Sequence, residues 1–138
     1  MIRSYYTDKG GYHPFLINDG WQLAQLNYSE EQHIDQLDKL DVHLETDEVF
    51  VLLKGRAALI GAKMVQGRPQ FNIEVMEPGI IYNVPQNTWH NIAMEMGSEV
   101  LIVEKSYTHI SDAEFFPLDT PLQNELRDLV TSALKSSK

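Results

Sequence analysis

Between Glu48 and Ser106 the chain breaks into six short apolar runs, each bounded by turn residues. The runs cover 48–54, 56–64, 70–76, 79–84, 89–94 and 99–106, and they are rich in Val, Ile, Phe and Leu. Between them stand Lys54-Gly55, Gln66-Gly67-Arg68-Pro69, Glu77-Pro78-Gly79, Pro85-Gln86-Asn87 and Met96-Gly97-Ser98. Gly and Asn supply positive φ at low cost and Pro fixes φ, so each separator turns the chain. Many short β-rich runs at close spacing predict an antiparallel sandwich or barrel. Trp21–Tyr28 alternates in polarity and reads as a further strand. With an extended segment at 41–44 the total is about eight, the number used by a jelly roll.

The flanks read differently. Residues 1–20 carry Gly10, Gly11, Pro14 and Gly20 and read as loop, with a short strand near Tyr5. Ser29 followed by Gln32 is a capping-box pattern, and it predicts a short helix or helical turn within 29–40. Residues 111–116 read as a helical turn. Thr120 as N-cap, Pro121 at the first helical position and Gln123 as capping partner open a helix over about 121–135. Leu122, Leu126, Leu129, Val130 and Ala133 share one face of it. Lys135 and Lys138 sit where the macrodipole favours cations. This helix is expected to pack outside the β fold or to cover a partner subunit.

The 138 residues suit a single domain, 1–138, with a barrel core over about 21–106. The sequence has no cysteine, so any metal must be held by His, Asp and Glu. The net charge of −9 disfavours nucleic acid and anionic membranes, which need basic faces. No apolar run approaches a membrane span, and the N-terminus lacks a basic region leading into an apolar one. The expected location is cytoplasmic.

Chemistry concentrates in two places. In the segment Asp41–Gly55, Asp41 and His43 are two apart and share a strand face. Glu48 follows at an odd offset, which a turn at Glu45-Thr46-Asp47 corrects. It then begins the next strand, inward with Phe50 and Leu52. Val49, Val51 and Leu53 point the other way, which implies a strand covered on both faces. The second place is His90, just past the Pro85-Gln86-Asn87 turn. Two histidines and a carboxylate suit a divalent first-row metal with positions left open.

The two segments resemble the paired motifs of small single-domain cupins. The first such motif runs glycine, five residues, His, one residue, His, three or four residues, Glu, six residues, Gly. Here Asp41, His43, Glu48 and Gly55 stand at those places. The second runs glycine, five residues, Pro, one residue, Gly, two residues, His, three residues, Asn. Here Gly79, Pro85, Asn87 and His90 match in place. The likeness spans roughly 35–106. It departs at Asp35 for the opening glycine, at Asp41 for the first histidine, at Asn87 for the second motif's glycine and at Met94 for its closing Asn. Asn87 is mild, because Asn tolerates positive φ.

The resemblance implies an all-β antiparallel jelly-roll barrel with the C-terminal helix outside. It also implies a divalent transition metal (Mn, Fe, Zn or Ni) at the barrel mouth on His43, Glu48 and His90, with Asp41 as an altered fourth ligand. Asp41 is otherwise a partner to a histidine or a loop acid, and a decayed, metal-free site is the rival reading. A carboxylate would harden the site toward Mn or Fe. Oxygenase, isomerase or epimerase, and lyase chemistry on a small polar metabolite is implied. The alternatives are a non-catalytic small-molecule binder and a structural dimer; a homodimer is expected in any case. No basic cluster lies in the motifs, which disfavours a sugar phosphate. His13, His33 and His109 read as surface or capping residues, Trp89 as packing, and Glu31, Glu45 and Asp47 as solvated charges.

Overall fold

In the computed structural model, which describes residues 1–137, the apolar runs pair into two five-stranded sheets. Lys138 lies outside the described residues. The strands are β1 (Gly11–Ile17), β2 (Gln22–Asn27), β3 (Lys39–Val42), β4 (Glu48–Lys54), β5 (Ala57–Val65), β6 (Arg68–Val75), β7 (Ile81–Val84), β8 (Trp89–Met94), β9 (Glu99–Glu104) and β10 (Glu114–Pro117). The helices are α1 (Thr108–Ser111) and α2 (Thr120–Ser136). One sheet runs β1-β2-β9-β4-β7 and the other β10-β3-β8-β5-β6, with antiparallel pairing throughout. Strands adjacent in sequence often sit in opposite sheets, as a jelly roll requires. The expected closed barrel is corrected in one respect. The two sheets face each other without hydrogen-bonding at their edges, so the β core is an open sandwich.

Strand alternation divides the residues between two cores. The first lies between the sheets: Leu26, Phe50, Leu52, Ala57, Leu59, Ile92, Met94, Val100 and Ile102 are all buried there. The second lies on the other side of the β5–β8 sheet, where Ala58, Ile60 and Ala93 meet Leu122, Leu126 and Val130 of α2. Each large side chain buried in this way contributes about 1.5–3 kcal/mol. α2 therefore covers its own sheet, although Leu129, which the sequence placed on the same face, is exposed. The outer face of the other sheet is only partly covered. Val49 and Val51 are half-buried and Leu53 is exposed, so β4 is not enclosed on both faces as its sequence implied.

Local differences have local causes. Residues 11–17 form a strand despite Pro14, because β1 lies at a sheet edge where a missing N–H is tolerated, and its register shifts beside that proline. Residues 29–40 give two 3₁₀ turns and not one helix, with the Ser29/Gln32 capping box present. Residues 114–117 are a strand paired with β3, not a helical turn. The α2 N-cap is Asp119, whose carboxylate accepts from Leu122 N at 2.9 Å, so Thr120 and Pro121 are already helical.

Gly55 shows why a glycine closes the first motif. Its φ is +88°, and a Cβ there would come within 2.6 Å of Ser98 Cα. Asn87 does adopt positive φ, at 67°.

Candidate metal centre

β3 ends, β4 begins and β8 begins at the same end of the sandwich, and this places the acid and histidine residues of both motifs between the sheets. His43 follows β3, Glu48 opens β4 and His90 is the second residue of β8. All three are buried, and one donor atom of each lies within 4.8 Å of the others. His90 Nε2 is 2.9 Å from Glu48 Oε1, and His43 Nε2 is 3.3 Å from the same oxygen.

The other nitrogens decide the tautomers. His43 Nδ1 lies 2.6 Å from Asp112 O, and His90 Nδ1 lies 2.8 Å from Thr88 O. A carbonyl oxygen only accepts, so both Nδ1 atoms carry hydrogen. In the neutral ring each Nε2 then presents a lone pair, and both face one carboxylate oxygen. Lone pairs opposed to an acceptor repel unless protons or a cation lie between them. A divalent ion with bonds of about 2.1 Å spaces neighbouring donors about 3.0–3.4 Å apart, which the two separations match within a few tenths of an ångström. The donor set fits such an ion, and the Nδ1–carbonyl bonds are the outer support that metal-bound histidines use.

Electrostatics follow from this arrangement. Burial pushes His43 down, but the Glu48 carboxylate and the Asp112 carbonyl outweigh it and raise His43 to about 9. His90 is likewise lowered by burial and raised more strongly by Glu48, for a net increase. Burial would raise Glu48, but the two histidines hold it at about 2. In the metal-free protein, protons therefore take the place of the cation.

The loop at 43–47 is fixed by groups the sequence did not single out. The Asp112 carboxylate accepts from Leu44 N and Glu45 N at 3.1 and 2.9 Å and from Thr108 Oγ1 at 3.0 Å. Asp47 accepts from Gln86 N at 2.9 Å and Asn83 Nδ2 at 3.2 Å, which ties the two motifs together. It is exposed but structural, and not merely solvated as expected.

Asp41 stands beside the three residues and does not enter their cluster among the described residues. Its Cα pairs with that of His90 across β3 and β8. Burial raises its pKa, partly offset by His90 and Lys39, and its Oδ1 is buried without a partner. Asp41, His43, Glu48 and His90 share the wall of a cavity of about 230 Å³ with Tyr12, Phe50, Glu104, His109 and Phe115. Among the described residues no Lys or Arg lines this cavity.

Sequence reasoning missed Glu104, Tyr12, Gln22 and Asp112 and placed His109 at the surface. Glu104 is a charged residue two positions from Ile102 on one strand face, which was its only signal. Tyr12 Oη donates to Glu104 Oε1 at 3.2 Å, and Gln22 Nε2 donates to the same oxygen at 3.3 Å. Gln22 Nε2 also donates to His109 Nδ1 at 2.8 Å, and the His109 ring packs on Tyr12 with centroids 5.1 Å apart. Trp89 packs on Phe116, and His33 caps the second 3₁₀ turn, both as expected.

The two facing sheets, the outer helix and the site at the sandwich mouth define the cupin fold. No protein-family pattern and no curated protein matches this chain. Solved structures do. Pac13 from Streptomyces, a nucleoside dehydratase, superposes with a TM-score of 0.60 at 7% identity, covering 91% of this chain and 98% of that one. Hydroquinone 1,2-dioxygenase from Sphingomonas sp. TTNP3 gives 0.55 at 9%, covering 72% and 68%. A cupin-2 domain protein from Shewanella frigidimarina gives 0.50 at 14%, covering 72% and 84%. At these identities the likeness extends to the fold and not to activity.

Proposed function

We propose that this protein is a divalent-metal-dependent enzyme of cupin fold, acting on a small polar metabolite. The observation that carries this reading is the pair of imidazoles, each fixed at Nδ1 by a carbonyl and each aiming Nε2 at Glu48 Oε1. His43, Glu48 and His90 would hold the ion. Bound there, it would act as a Lewis acid on a substrate oxygen or on water.

The rest of the cavity supports the substrate class. Among the described residues no Lys or Arg lines it, which disfavours a substrate bearing a phosphate. Its volume of about 230 Å³ lies below the roughly 300–1,000 Å³ of sites for drug-sized ligands. Phe50, Ile92, Ile102 and Phe115 provide an apolar side to orient the ligand. His109 is suited to donate a hydrogen bond to it. Because Gln22 donates to Nδ1, the ring hydrogen sits on Nε2, and burial with the nearby His43 charge lowers its pKa and favours the neutral ring. Proteins of this fold include a dioxygenase and a nucleoside dehydratase, which brackets the reaction types without selecting one.

The test is metal content. Protein purified without chelator or affinity resin should hold close to one equivalent of Mn, Fe, Ni or Zn, and His90→Ala should lose it. A wild type that stays metal-free after incubation with Mn(II) and Fe(II) would overturn the reading.

A further inference from the structure

The resemblance implies four ligands, and the tight cluster supplies three. Two further carboxylates line the same cavity, Asp41 on β3 and Glu104 on β9, and neither enters the tight cluster among the described residues. Glu104 is 5% exposed, and its neighbour Val103 pairs with Val49, which sets Glu104 beside Glu48 on the same inward face. Both residues line the same cavity. Two acids side by side in an apolar interior call for a proton or a cation between them.

The two candidates differ in how they are held. Glu104 Oε1 accepts from Tyr12 Oη and Gln22 Nε2, while Oε2 is buried with no partner. That is how a ligating carboxylate is normally supported: one oxygen fixed by donors, the other free for the ion. Asp41 also has an unpartnered oxygen, but no side-chain hydrogen bond fixes its carboxylate among the described residues. Charge limits the set to one of them: Glu48 and one further carboxylate with two neutral imidazoles neutralise a divalent ion, and a third acid would leave buried negative charge.

Resting on the metal reading above, we propose that Glu104 is the fourth metal ligand of this protein, oriented by Tyr12 and Gln22, and that Asp41 is not. The site is then two imidazoles and two carboxylates, with one ligand drawn from a strand outside both motifs. Such a set favours Mn(II) or Fe(II) over Cu(II) relative to a site richer in imidazole.

The probe is Mn(II) alone, titrated into metal-free protein and followed by the loss of the free-ion paramagnetic resonance signal. Loss of an outer-shell partner costs about 10–100-fold in metal affinity. Removing a ligand exceeds that, so Glu104→Gln should weaken Mn(II) binding by more than about 100-fold and Asp41→Asn by much less. Tyr12→Phe should fall within the 10–100-fold range. Gln matches the shape of a neutral carboxyl and keeps the Tyr12 and Gln22 bonds, so the variant should fold, which circular dichroism checks. Glu104→Asp is the second variant; withdrawing the carboxylate by one methylene should also cost more than tenfold. A smaller loss in Glu104→Gln, or an equal or larger one in Asp41→Asn, overturns the assignment. A wild type that takes up no Mn(II) removes the metal reading itself. Mn(II) binding that is lost in His90→Ala yet kept in Glu104→Gln removes only the role of Glu104.

Discussion

Single side chains set the proton balance of the centre. His43 is raised to about 9 from an ordinary 6.5 and so carries a proton at neutral pH without metal, and the Glu48 carboxylate raises His90 in the same direction. Metal can occupy Nε2 only after that proton leaves. Binding therefore releases protons, and affinity should rise as pH rises, by about tenfold per pH unit for each proton displaced. The increase should persist up to about pH 9 and then level off. Calorimetry in buffers of different ionisation enthalpy would count the protons, and affinity independent of pH between 6 and 8 would contradict the picture. The first-motif residues were legible because Asp41, His43, Glu48 and Gly55 lie within fifteen positions of one another. Glu104 and Asp112 were not legible, because each acts across the fold on residues more than fifty positions away.

At the level of elements, local propensity and tertiary pairing explain what each segment became. β4 and β8 were readable to the residue, β4 from its Val-Phe-Val-Leu-Leu run and β8 because Pro85-Gln86-Asn87 and Met96-Gly97-Ser98 bracket it. β10 was misread because Ser111-Asp112-Ala113-Glu114 has helical character, and only pairing with β3 makes 114–117 extended. β1 was missed because Gly and Pro mask a strand that exists at an edge. For α2 the structure moves the cap by one residue. Asp119→Ala should destabilise the protein by about 1 kcal/mol, since it removes the acceptor for Leu122 N. Thr120→Ala should change stability by less than about half of that. Urea unfolding of both variants checks this, and a larger loss in Thr120→Ala would return the cap to Thr120.

The whole molecule combines a net charge of −9 with a buried cluster that holds protons in place of a cation. Glu104, raised to about 9 by burial and then by the Glu48 charge, favours folding fully below its ordinary 4.5 and loses that contribution as pH rises to about 9. His43 acts in the same sense between 6.5 and about 9. Glu48 acts in the opposite sense, stabilising above 4.5 and losing its effect as pH falls toward about 2. The metal-free protein should therefore be most stable near pH 4.5 and should lose stability on both sides, with His43 steepening the loss above 6.5 and repulsion among surface acids adding to it. Scanning calorimetry of chelator-treated protein from pH 3 to 9 should show that maximum. Adding Mn(II) should raise the melting temperature most at the alkaline end, where the protons it displaces are held least firmly. No described helix is long and apolar enough to cross a membrane.

The sequence by itself determined the β class, the C-terminal helix and the two segments that bring His43, Glu48 and His90 together. Those signals are local: apolar alternation, turn residues and motif spacing act over fewer than about fifteen positions. Only the tertiary structure decided that the sheets stay unclosed, that Asp41 stands outside the tight cluster, and that Glu104 and His109 face it. Which strand lies beside which depends on long-range pairing, and a buried acid acquires its partners only when those strands meet.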